Sequence, residues 1–130
     1  MVKETALPRP TDAEIAILKV IWQRGPSTVR EIHAQLSQHQ HMLYTTVLKL
    51  LQIMTEKGLV VRDESQRAHV YEARLTQQRA QKMLLGELLE RAFDGSAAQL
   101  VMQALSSRKT SPGELAEIRR LLTEMEGEER

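Results

Sequence analysis

The sequence predicts a mainly α-helical protein with one small β-hairpin, arranged in two parts. Three observations carry that prediction. Apolar residues recur three and four places apart along most of the chain, the period of a helix with one buried face. That period gives way to two short β-type runs only after Gly58. Serines and threonines followed three residues later by Glu or Gln mark where several helices begin.

The first helix starts at Thr11, with Glu14 completing a capping box, and closes at Gly25-Pro26. Ile15, Leu18 and Trp22 line one face, with Ile17 and Ile21 beside them, and Trp22 is expected to be buried. The second helix starts at Thr28, again with an acid three later, Glu31, and buries Val29, Ile32 and Leu36. A polar stretch, "SQHQHM", leads to the third helix, which Gly58 stops. Here Val47, Leu50, Leu51 and Met54 form the apolar side, while Thr45, Thr46, Lys49, Gln52 and Glu56 form the other. Leu59–Arg62 and His69–Glu72 then read as strands around a charged turn. Three helices and a hairpin within about 65 residues have the order of a winged helix-turn-helix, assigned to residues 1–75.

Residues 76–130 read as helix throughout. Thr76 caps a segment reaching about Ala92, with Met83, Leu84, Leu88 and Leu89 apolar, and "FDGS" ends it. Ser96 with Gln99 opens a short helix carrying Leu100, Val101 and Leu105. Ser111 and Glu114, with Pro112 at the first helical position, open another in which Leu115, Ile118, Leu122 and Met125 recur. About 55 residues with such narrow stripes are marginal alone. A helical dimerisation module is the expected use; folding back on the winged domain of the same chain is the alternative.

Composition narrows the function. The chain is 42% hydrophobic, as globular proteins are, and has no cysteine, which excludes disulfides and thiolate metal sites. The start "MVKETALPRP" has no apolar targeting core, and no run approaches the ~18 apolar residues of a membrane span, so a cytoplasmic protein is expected. Net charge is +1 and pI about 8.1, so any contact with nucleic acid must come from a local patch. Residues 1–75 carry +2 and the remainder −1.

That patch is sought on the third helix. Exposed helical faces usually favour Glu and Lys over paired threonines. Thr offers a hydroxyl and a methyl, Lys reaches guanine or phosphate, and Gln can pair with adenine, so Thr45, Thr46, Lys49 and Gln52 suit a base-reading face. An ordinary solvated face is the plain alternative. Arg62, Arg67 and His69 flank the hairpin turn, where a wing can hold phosphates, and Arg30 can reach the backbone from the second helix. The spacing of His33, His39 and His41 admits a metal site, but solvated side chains around a polar loop are simpler, and no metal or cofactor is expected. No hydrolase, metalloprotease or phosphate-loop motif occurs, and the acids fall on helix caps and exposed faces, so no enzyme is expected.

The motifs Thr28-Val29-Arg30-Glu31-Ile32, Tyr44-Thr45-Thr46-Val47, Glu56-Lys57-Gly58-Leu59 and Arg67-Ala68-His69-Val70-Tyr71, with the Trp22–Pro26 corner, resemble the penicillinase-repressor family of bacterial transcriptional regulators. "GSAAQLV" and "SPGELAEIRRLL" extend the resemblance nearly to the end of the chain. It implies a homodimeric repressor on a near-palindromic double-stranded DNA operator. The DNA-binding candidates are Thr28, Arg30, Tyr44, Thr45, Thr46, Lys49, Gln52, Arg62, Arg67 and His69. The dimerisation candidates are Leu84, Leu88, Leu89, Leu100, Val101, Leu105, Leu115, Ile118 and Leu122. Relatives often carry Thr at position 49 and Arg at 53, where this chain has Lys49 and Ile53. Some members are switched by a regulatory protease that cuts an Asn-Phe bond, but Phe93 here follows Ala92. Copper-responsive members use cysteines, which this chain lacks, so an inducer of another kind is left open. A winged-helix module that binds protein is the alternative function.

Overall fold

The computed structural model describes residues 7–128. In chain order the elements are α1 (Asp12–Arg24), β1 (Ser27–Thr28), α2 (Val29–Leu36), α3 (Tyr44–Lys57), β2 (Val60–Asp63), β3 (Val70–Ala73), α4 (Gln77–Ala92), α5 (Ala97–Ser107) and α6 (Pro112–Glu128). The chain divides into two compact units, Met1–Leu85 and Gly86–Arg130.

The first unit is a winged helix-turn-helix. Both capping boxes form: Thr11 Oγ1 accepts from Glu14 N at 3.2 Å and Thr28 Oγ1 from Glu31 N at 3.2 Å, and each glutamate reaches back to the cap N–H at 2.9 Å. Ile17, Leu18, Ile32, Val47, Leu51 and Met54 from α1, α2 and α3 are fully buried together. α3 ends at Gly58, whose φ of +86° a side chain would resist, and the Leu59 N–H closes the helix onto Met54 O at 2.9 Å.

The sheet is larger than the hairpin the sequence predicts. β1 pairs antiparallel with β3, giving the strand order β1-β3-β2. In the hairpin Val60 faces Ala73 and Asp63 faces Val70, so both strands lie one residue beyond the expected spans. Leu59 O accepts from Arg74 N and Leu75 N, and Trp22 Nε1 donates to Leu75 O at 2.9 Å. Trp22 is therefore half-buried rather than fully so, because its ring edge must reach that carbonyl.

Glu14 does more than complete its capping box: it is 1% exposed, and both its oxygens lie 2.9 Å from Lys57 Nζ. A buried carboxylate needs such a partner, and this one ties the start of α1 to the end of α3.

The second unit holds the last part of α4 together with α5 and α6. Ser96 caps α5 through Gln99 N at 3.2 Å, and Ser111 caps α6 through Glu114 N at 3.1 Å. None of its described residues is buried, and Leu88, Val101, Met102, Leu121, Leu122 and Met125 are exposed. Among the described residues no helix is long and apolar enough to cross a membrane.

Candidate nucleic-acid interface

The third helix of the winged unit separates its two faces except at Leu50, expected on the apolar side, which is half-buried where the two faces meet. Val47, Leu51 and Met54 point into the core, whereas Thr45, Thr46, Lys49 and Gln52 are exposed, as the 3.6-residue period requires. Thr45, Thr46 and Lys49 share a shallow surface with Leu50 and Ile53, both half-buried. No acid occupies the first turn of α3, so nothing there opposes an approaching phosphate.

A concave cleft opens beside the N-terminal end of this helix. Thr28, Val29 and Arg30 line it from the start of α2, Tyr44 and Leu48 from α3, and Arg67, Ala68 and His69 from the wing, with Tyr71 at its base. Thus five candidates far apart in sequence, Thr28, Arg30, Tyr44, Arg67 and His69, border one space. Arg30, Arg67 and His69 are exposed, while Thr28 is half-buried with its hydroxyl committed to the α2 cap. Val29, Leu48 and Ala68 form its apolar wall; Val29 and Ala68 lie within the motifs quoted above but are not among the site candidates, and Leu48 carries no motif or charge signal at all.

Arg62 stands apart from the cleft. It faces Tyr71 across the sheet, and its Nε lies 2.7 Å from Glu64 Oε2. Tyr71 first and Glu64 second hold its guanidinium pKa above the ordinary arginine value. At the wing tip Asp63 Oδ1 accepts from Ser65 N at 2.9 Å, which holds that carboxylate below its ordinary pKa. These local bonds order the turn on which Arg67 and His69 are carried.

The histidines do not gather. Among the described residues no three His, Cys, Asp or Glu side chains converge as metal ligands would. His39 and His41 are exposed; His33 is half-buried, with Nε2 2.9 Å from Met42 O and its ring edge-to-face with Tyr44, centroids 5.6 Å apart.

Of the nine dimerisation candidates, Leu88, Val101, Leu105, Leu115 and Leu122 are exposed in the single chain, and Leu84, Leu89, Leu100 and Ile118 are half-exposed.

Comparison with known proteins agrees with this architecture. Over 121 residues the chain is 32% identical to a transcriptional regulator BlaI of Mycobacterium tuberculosis, covering 92% of this chain and 87% of the relative. It is 24% identical over 118 residues to a penicillinase repressor of Bacillus licheniformis, covering 91% and 92%. Two solution structures share the fold of the winged unit, each covering 56% of this chain and 89% of the other at 25% identity. One is the DNA-binding domain of the repressor BlaI, with a TM-score of 0.51; the other is monomeric Bacillus licheniformis BlaI in complex with the blaP half-operator, with a TM-score of 0.50. A family model described as "Penicillinase repressor" matches residues 10–124, so nearly every element derived above falls within one pattern, and the chain belongs to the penicillinase-repressor family of transcriptional regulators, which are not enzymes.

Proposed function

We propose that this chain is a cytoplasmic homodimeric transcriptional repressor that binds a near-palindromic double-stranded DNA operator. In this reading α3 enters the major groove and presents Thr45, Thr46, Lys49 and Gln52 to base edges. Arg30 and the wing residues Arg67 and His69, which border one cleft, meet backbone phosphates beside that helix, while Tyr44 and Thr28 fit the groove wall. Arg62 braces the wing through Glu64 and Tyr71. The observation that carries the reading is that Arg30, Arg67 and His69 line one cleft with Tyr44, at the N-terminal end of the helix that exposes Thr45, Thr46 and Lys49. A relative whose winged unit has this fold was solved on half an operator, which supports the same use here.

Dimerisation is supported by the second unit, whose apolar residues find no burial within one chain. A second copy covers them and places two α3 helices on the two half-sites. The release signal, whether a regulatory protease or an inducer of another kind, acts without thiolate chemistry, since there is no cysteine.

The test is selection from a random-sequence duplex pool, followed by titration of the recovered duplex over a range of salt. Arg30 and Arg67, each present twice, neutralise four phosphates and give an expected slope of log affinity against log salt of roughly −4. Lys49→Ala should cost about 1–3 kcal/mol on the recovered duplex and much less on a shuffled one. A flat salt dependence with no sequence recovered would favour a protein-binding winged module instead.

A further inference from the structure

Among the described helices, α3 is the one that starts without a side-chain cap. The other five begin at a hydroxyl that accepts an N–H three residues on: Thr11, Thr28, Thr76, Ser96 and Ser111. α3 begins after Leu43, which is 59% exposed and makes no cap hydrogen bond. A cap fixes where a helix starts and the angle at which the chain enters it. Something else must do so for the helix that carries the proposed reading face.

His33 on α2 is placed to do it. Its Nε2 lies 2.9 Å from Met42 O, one residue before the uncapped Leu43. A carbonyl oxygen can only accept, so Nε2 carries the hydrogen and donates it. The same ring meets Tyr44, one residue after Leu43, edge-to-face at an interplanar angle of 75°. One side chain thus grips both flanks of the helix boundary from a neighbouring element. We infer that His33 is a positioning residue for sequence recognition, substituting for the missing cap and setting the height and tilt of the first turn of α3. It acts through Met42 and Tyr44 and does not line the cleft. Base edges demand closely fixed donors, whereas phosphates tolerate displacement, so the loss of His33 should fall on specific binding and spare the non-specific component.

The inference rests on the DNA-binding reading, and its test separates the two. The full-length chain is titrated against the duplex that the wild type recovers from a random pool and against a shuffled duplex of equal length. Three variants are compared: His33→Leu removes the donor and keeps bulk, His33→Asn carries an amide too short to reach Met42 O, and His33→Gln carries one of about the right reach. We expect Leu and Asn to weaken binding to the recovered duplex about tenfold or more, to leave the shuffled duplex within about twofold, and Gln to restore most of the loss. Equal losses on both duplexes, no loss, or Gln falling with Leu would each overturn the inference. Should the Leu variant fail to fold, the Asn–Gln contrast decides alone. If the wild type recovers no sequence, the DNA-binding reading falls and this one with it; if it does and the variants match it, only this inference falls.

Discussion

Of the described residues, fifteen hydrophobic side chains between Ile17 and Ala80 are buried, while from Gly86 to Glu128 not one residue is. Yet leucine and methionine recur in both stretches at helical spacing. The difference lies in what surrounds each stripe. In the first unit three helices and a sheet enclose one another, so Leu51 and Met54 lose all contact with water. In the second, Leu88, Leu121 and Leu122 remain about half exposed. A helical period reports that one side of a helix is apolar; it does not say whether the cover comes from the same chain.

The sharpest way to break this contrast is to charge the uncovered face. The double variant Leu88→Glu, Leu122→Glu should leave the winged unit folded and convert the proposed dimer to a monomer. Losing the second, linked half-site should lower operator affinity by about a hundredfold or more. Sedimentation gives the mass and titration the affinity; a dimer that survives both charges would place the interface elsewhere.

In the first unit an apolar truncation acts on folding rather than on assembly. Leu51→Ala, at a site with no solvent exposure, should cost about 2–5 kcal/mol of stability in denaturant unfolding. Leu121→Ala, 55% exposed, should cost far less in a monomeric background. Comparable losses at the two sites would mean that the second unit has a core of its own.

What was legible in the sequence divides along a physical line. Caps were legible because a hydroxyl and an N–H three residues apart are local chemistry, and Thr11, Thr28, Ser96 and Ser111 all accept the bond expected of them. The exposed face of α3 was legible because periodicity sorts residues by side. β1 was not, since two residues cannot show alternation and Ser27–Thr28 become a strand only by pairing with Val70 and Tyr71. The partner of His33 was invisible as well, because it is a backbone carbonyl and carries no side-chain signature. The ion pair of Glu14 is hidden for a related reason: its cap role is local, but Lys57 lies 43 residues away.

That ion pair gives a third prediction, smaller than the core truncation. Lys57→Met keeps the aliphatic stem and removes the charge, leaving Glu14 buried with only the Thr11 N–H. Because Lys57 is itself 29% exposed, the cost should be modest, roughly 1–3 kcal/mol. Adding Glu14→Gln should recover part of it, since a neutral amide suffers less from burial without a countercharge. If the double variant is no better than the single one, the pair contributes packing and not charge compensation.

The smallest effect should appear at the wing, where local hydrogen bonding rather than a core sets the conformation. Asp63 accepts from Ser65 N, and that bond favours the ionised carboxylate, so its folded pKa lies below the ordinary value. The contribution to wing order is therefore fully present above the ordinary aspartate pKa and is lost as pH falls through the lowered folded one, below about pH 4. The Ser65 amide resonance should titrate in that window while the amides of Leu51 and Ile32 hold still, which would separate a local change at the wing from global acid unfolding. Asp63→Asn, which keeps an acceptor but no charge, should remove the titration and leave the turn in place. If the core amides move together with Ser65, the wing does not order independently, and its hydrogen bonds report the stability of the whole first unit instead.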